Sequence, residues 1–392
     1  MARPSAGRRA DAGVTRLDGP VAVLLPSVEL GAYWGPVIRE LDRMSGEARL
    51  LTAHGWPNWQ QDPTADLVTI VGTARRISTD ADAKAYGGGV MVLPVRVVVP
   101  LLRLRPAAVY TMGFSLWTVL ALLLKPFLRW RVVLMWEGSS PGVDHRDSAL
   151  RTRIRAVMAR LADRLITSNH RSRDYLVDHL GAPGDTVDVH PLLVPSVAAL
   201  TAGADRAPAI ADLPAPRLLV VGRLETRKGI DPLLRALAAL GDSTPWSLAV
   251  IGTGEEEPAL RATAERLGVA GRVSWLGWVA YPDLGAHLAA ADFLAFPTLE
   301  DTWGMVAAEA MAVGTPVICS IHAGVSEILT DGVDGVLVDP TNSTAFAARL
   351  GEVVRESDPD ELGRAALRRI GSLTPAATAA ALLRAASGPA EG

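Results

Sequence analysis

A chain of 392 residues with 49% hydrophobic and 21% charged side chains can build two cores of ordinary domain size and is too apolar to be disordered. Its 39 basic and 42 acidic residues leave a net charge of -3, which supplies no general field for a polyanion, so nucleic acid is not an expected partner. Cys319 is the only cysteine, which excludes an intrachain disulfide and a thiol-based zinc or iron-sulfur centre and fits a reducing, cytoplasmic compartment.

Residues 1–18 carry arginines without the apolar core of a secretory signal and are expected to form a loose tail. An α/β domain is expected over 19–195. VAVLLPS, Val21 to Ser27, reads as a buried parallel strand, followed by a loop at Glu29 to Gly31 and a helix through Ile38 and Leu41. ARLLTAHG gives a second strand, MVLPVRVVVPLLRLRP apolar helical material interrupted by prolines, and AAVYTMG a strand and loop. The uncharged run Val109 to Leu124 has 16 residues, broken by Thr111, Ser115 and Thr118 and ended by Lys125 and Pro126, which is short for a membrane span. A core helix is expected there; the alternative is contact with a bilayer surface through the same segment and Lys125, Arg129 and Arg131. RVVLMWEGSS is another strand with a polar exit, and RIRAVMARLADRLITSNHRSRDYLVDHLG reads as helix, short strand and helix.

Residues 196–216 are rich in Ala, Pro and small polar residues and read as a linker. A second α/β domain, 217–375, has strands at RLLVV, SLAVI, RVSWLGWV, ADFLAFPT, TPVICS and GVLVDP, and 376–392 form a closing helix and tail. This order predicts open, mostly parallel sheets, in which ligands bind at the carboxyl ends of the strands.

The loops at those ends carry the candidate chemistry. VVGRLETRKG places Gly222 and Arg223 after a strand and Lys228 at a helix entrance, where backbone N–H groups and two cations suit a diphosphate. The same cations would also suit an ordinary solvated turn. The spacing is not that of a Walker loop, and IGTGEE lacks the third glycine of the dinucleotide fingerprint. Gly252 and Gly254 make a tight turn on the same edge; Gly277, Trp278 and Val279 form another strand exit, where the indole could flank a flat ring or simply pack. In PTLEDTWGMVAAEAMAVGTPVI, a helix starting after Thr302 would put Asp301 at its mouth and Glu309 two turns inside, with Trp303 and Gly304 offering backbone donors. In the first domain Glu29, Gly31, Glu137, Gly138 and Asn169 fall on strand exits, placed to meet a ligand held by the second domain. No dense Asp/His cluster suggests a metal site.

The order and spacing of VVGRLETRKGID, IGTGEE, WLGWV, PTLEDTWGMVAAEAMAVGTPVI, GVSEIL and GVLVDP resemble the retaining GT-B glycosyltransferases of family 4 (glycosyl transferases group 1), which include sucrose and glycogen synthases. The resemblance is specific over Arg217 to about Pro340 and looser over Val21 to about His190. It implies an α/β GT-B fold, two Rossmann-like domains facing each other across a cleft. The implied activity is sugar transfer from a nucleoside-diphosphate donor, UDP or GDP, to an acceptor hydroxyl with retention, with no cofactor or metal required. It implies that Arg223 and Lys228 hold the diphosphate and Glu309 the ribose, and that Asp301 takes the place of the acid near the donor sugar, with Glu300 beside it. ELG at Glu29 to Gly31 resembles the family's glycine-rich loop with one glycine missing, and Glu137 or Gly138 stands where the family carries a histidine. A cytoplasmic protein is expected, with peripheral contact at the inner membrane face and a homodimer both compatible. The alternatives are a GT-B nucleotide-sugar epimerase and an inactive nucleotide-sugar-binding scaffold.

Overall fold

The computed structural model describes residues 17, 19–26, 31–55, 64–77, 90–197, 200 and 208–388. Strands β1 (Val21–Leu25), β2 (Ala48–Thr52) and β3 (Val68–Ile70) are followed by the antiparallel pair β4 (Arg75–Ile77) and β5 (Val90–Val92). β6 (Ala108–Met112), β7 (Arg131–Trp136), β8 (Arg164–Thr167) and β9 (Val187–Val189) complete a seven-stranded parallel sheet in the order β3-β2-β1-β6-β7-β8-β9. A second parallel sheet, of six strands, holds β10 (Arg217–Val221), β11 (Ser247–Ile251), β12 (Val273–Gly277), β13 (Phe293–Phe296), β14 (Val317–Ser320) and β15 (Val336–Val338), in the order β12-β11-β10-β13-β14-β15.

The central strands are continuous apolar runs because helices cover both faces: every residue of β1 and of β11 is buried. In the first sheet, α1 (Gly31–Ser45) packs one face, while α2 (Val98–Leu104), α3 (Leu116–Leu128) and α4 (Ala149–Leu161) pack the other through Leu101, Trp117, Ala121 and Met158. The Val109 to Leu124 run therefore resolves into β6, a Ser115-capped turn and a helix that covers the sheet with one side. The short helix α5 (His170–Asp174) follows β8, and α6 (Met305–Ala312) lies between β13 and β14.

The last helix, α7 (Pro375–Ser387), leaves the second sheet and docks beside α1 on the first. Tyr110 Oη donates to the Leu382 carbonyl at 3.0 Å, Arg131 Nη1 to that of Ala386 at 2.9 Å, and Thr378 Oγ1 to that of Pro191 at 3.2 Å. One apolar cluster consequently includes β1, α1 and α7 together with Leu219, Phe296 and Trp303 of the second sheet. Strand order reverses beside β1 in the first sheet and beside β10 in the second, so the exits of β10 and β13 flank a crevice of the kind in which open α/β sheets bind ligands. No helix among the described residues is long and apolar enough to cross a membrane.

Candidate functional site

After β10 the chain turns at Gly222, with φ +150, and runs through a one-turn 3₁₀ segment, Thr226–Lys228. Gly229, with φ +67, then lets the next helix start against the Pro297 carbonyl, where any Cβ would overlap that oxygen. The loop after β10 is thereby fixed to the loop after β13. Lys228 Nζ lies 2.7 Å from Asp301 Oδ2 and Arg227 Nη1 lies 3.6 Å from the same oxygen. Arg223 behaves differently: its side chain is 75% exposed and pairs with Glu225 at 2.9 Å. Sequence reasoning paired Arg223 with Lys228; the second cation near Asp301 is Arg227, which the motif TRK had already placed one residue away.

The other glycines of this edge serve close backbone approach. A Cβ on Gly252 or Gly254 would run into the Gly222 or Leu224 carbonyl, and Gly252 N donates to the Gly277 carbonyl at 2.7 Å. Trp278 is 75% exposed and Val279 half-buried.

Between β13 and α6 the Asp301 backbone bridges to Ala323, and the Asp301 side chain accepts from Trp303 N at 3.3 Å. The Trp303 N–H, expected at the ligand edge, thus goes to Asp301, and its indole is buried. α6 begins at Met305 after Gly304 in a left-handed conformation, φ +109, later than the Thr302 boundary that the sequence suggested. Glu309 is therefore one turn inside the helix, not two. It is a buried carboxylate: Tyr33 Oη, from α1, donates to Oε1 at 3.3 Å, and Tyr281 stands beside it with the two phenol rings edge to face at 5.8 Å. Burial pushes the Glu309 carboxyl up, opposed by hydrogen bonding from Tyr281 and Tyr33, while burial and then the neighbouring carboxylate push both phenols up. Sequence reading missed the two tyrosines; neither lies in a motif, and only the fold brings residues 276 positions apart together.

The first sheet meets this edge directly. Gly138 packs on the Thr302 carbonyl, where a Cβ would overlap it. Asn169 caps α5 by accepting from Ser172 N at 2.9 Å and donates through Nδ2 to the same Thr302 carbonyl at 3.2 Å, so its amide is committed to the seam. Glu300 does not join Asp301: its Oε1 accepts from Gly142 N at 2.6 Å. Glu327 caps α5 from the other sheet, accepting from His170 N at 2.6 Å and Arg171 N at 3.0 Å. The Glu137 side chain, at the exit of β7, is part-buried with a desolvated carboxyl, which burial and Asp301 push up to about 7. Gly31 opens α1; Glu29 lies outside the described residues. The structure thus gathers Lys228, Asp301, Gly304 and Glu137 at one seam, with Glu309 one turn into α6. Among the described residues no group of three or more His, Cys, Asp or Glu side chains is arranged to hold a metal ion.

The family model described as glycosyl transferases group 1 matches residues 204–369. A D-inositol 3-phosphate glycosyltransferase of Mycolicibacterium gilvum is 38% identical over 229 residues, 57% of this chain and 51% of that protein. The chain spans about half the length of the curated relatives of this name that it matches. The structure of Anabaena HepE in complex with UDP and glucose is similar with a TM-score of 0.69 at 18% identity, covering 93% of this chain and 98% of that one. Sucrose-phosphate synthase of Thermosynechococcus elongatus is similar with a TM-score of 0.64 at 20% identity, covering 93% and 97%. The segment 204–369 belongs to the glycosyl transferases group 1 family, and the chain as a whole has the GT-B fold.

Proposed function

We propose that this chain is a retaining glycosyltransferase that moves a sugar from a nucleoside-diphosphate donor, UDP or GDP, to an acceptor hydroxyl. The observation that carries the reading is the meeting of Lys228, Arg227 and Asp301 at the Gly304 entrance of α6, inside the segment that matches the family. The relation of HepE to UDP and glucose, as its structure was determined, supports a donor of this class.

As the bond between sugar and diphosphate breaks, negative charge collects on the leaving phosphate. Lys228 and the mobile-length side chain of Arg223, together with backbone N–H groups at the α6 entrance, stabilise that charge. Asp301 holds Lys228 in position and lies beside the donor sugar, and Glu309 accepts from the ribose hydroxyls. The resemblance implies front-face attack, in which the departing phosphate oxygen takes the acceptor proton, so no separate protein base is required. Direct contact between the two sheets at Gly138, Gly142 and Asn169 would keep water from the reacting centre. The proposal uses no metal.

The test is calorimetric titration with UDP-glucose, UDP-N-acetylglucosamine, GDP-mannose and dTDP-sugars, on wild type and Arg223→Ala. One saturable donor, weakened at least about ten-fold by the substitution, is expected from loss of a charge-assisted phosphate contact. Folded wild-type protein that binds none of the donors overturns the proposal in favour of a scaffold. A donor rearranged without any acceptor points to an epimerase.

A further inference from the structure

The helices α2, α3 and α4 cover one face of the first sheet with one side and leave a second apolar side facing outward. In α4 the outward stripe is Leu150, Ile154, Val157 and Leu161, spaced i, i+4, i+7 and i+11. In α3 Leu123 is 63% and Phe127 81% exposed, on the side opposite Trp117 and Ala121. Val99 and Leu102 of α2, which covers the same sheet face, are exposed as well. A helix that packs a core needs one apolar stripe; these helices on one sheet face, α3 and α4 in contact with each other, turn further apolar side chains to solvent.

Charge within these three helices has one sign. The helix sequences VVPLLRL, LWTVLALLLKPFL and ALRTRIRAVMARL contain no Asp or Glu. Arg103, Arg129 and Arg153 are exposed and make no ion pair among the described residues. Asp163, which follows α4, is paired with Lys125 at 2.7 Å, and Asp147 precedes the Ser148 cap of α4. A second copy of this chain placed on the face would set unpaired arginines against arginines, which disfavours self-association.

We propose that the outward face of α2, α3 and α4 docks on an anionic lipid bilayer. The apolar stripes enter the acyl boundary to a shallow depth while the unpaired arginines meet the phosphates, the arrangement of in-plane amphipathic helices. The face runs the length of the helices. Its upper end, at Leu116 and Leu150, adjoins the carboxyl edge of the sheet, where Gly138 and Gly142 meet the second sheet. Docking therefore brings that edge of the molecule to the bilayer surface. The proposal stands on the surface alone and does not depend on what reaction the site performs.

The test is co-sedimentation of the full chain with vesicles of pure phosphatidylcholine and of phosphatidylcholine with 30% phosphatidylglycerol, at about 50 mM and 500 mM salt. The variants are the triple Leu123→Glu, Phe127→Glu, Ile154→Glu and the charge variant Arg129→Glu, Arg153→Glu, each checked for native thermal unfolding; all these side chains are solvent-facing. Binding is expected on the anionic vesicles, weaker at high salt, and reduced at least ten-fold in both variants. Wild type that sediments with neither vesicle overturns the proposal. So does equal binding by the variants, or a concentration-dependent dimer that the same substitutions abolish.

Discussion

Lys228 Nζ lies 2.7 Å from Asp301 Oδ2, and the two side chains are 15% and 12% exposed. A part-buried ammonium paired this closely is held in one place, while Arg227 at 3.6 Å shares the carboxylate from the other side. The pair is a positioning device: Asp301 spends one oxygen on the cation and the other on the Trp303 N–H that leads into α6.

Lys228→Ala is expected to lower donor turnover by about 10²–10³-fold, as for removal of one donor to developing charge. The cost to stability is expected to be smaller than for a fully buried pair, about 1–3 kcal/mol, because Arg227 remains to face Asp301. Calorimetry, steady-state rates and urea unfolding measured together check this. A variant that unfolds like wild type and turns over normally would show that the pair is only a surface ion pair.

Gly138→Ala tests the seam. The added methyl overlaps the Thr302 carbonyl, and because backbone faces backbone no side chain can swing away. The contact between the two sheets must open, at a cost of about 1–3 kcal/mol in the range for overpacking. A larger radius of gyration by small-angle scattering and a drop in activity of at least ten-fold are expected, against a Gly271→Ala control whose Cβ meets nothing within 4 Å. Identical scattering and activity in the two variants would contradict the closed seam.

How much of this was legible follows from the kind of signal each part carries. The six strands of the second sheet are apolar runs, β10 to β13 ended by glycine or proline, and all six were readable. β3 and β9 were not, since each is three residues with Thr69 or Asp188 in the middle and carries no run of its own. Asp301 and Glu309 were visible as spaced acids in an apolar segment. The partners of Glu309 were not, because Tyr33 and Tyr281 approach from separate helices and no local spacing marks them. The second exposed stripe of α3 and α4 was equally hidden: one-sided burial is a property of the packed helix, not of its hydropathy.

Glu137→Gln has a pH signature. Burial, then Asp301, raises the Glu137 carboxyl from its ordinary 4.5 to about 7 in the fold. A raised carboxyl contributes stability that is full below about pH 4.5 and lost as pH rises through 7, because ionisation is easier in the unfolded chain. Glutamine removes that loss, so the variant should gain on wild type by about 1–3 kcal/mol between pH 5 and pH 8. Urea midpoints at the two pH values check it. A constant gap between variant and wild type would mean that Glu137 does not titrate in this window.

Tyr33→Phe separates the role of Glu309 from its burial. The carboxylate is raised by burial, and hydrogen bonding from Tyr281 and Tyr33 pulls the other way by favouring the charged form. Removing the Tyr33 hydroxyl, 3.3 Å from Oε1, leaves desolvation less opposed and raises the carboxyl further. If Glu309 accepts from the donor ribose, it must be ionised to do so with both oxygens. Donor binding, lost as pH falls through the Glu309 titration, should then be lost at higher pH in the variant. On the acid side of that titration the variant is expected to bind about ten-fold more weakly, the worth of one hydrogen bond to a charged group, and to approach wild type on the alkaline side. Calorimetric Kd values from pH 5.5 to 9 read this directly. Superimposable profiles would remove Glu309 from the donor contact and leave it a buried acid that ties α1 to α6.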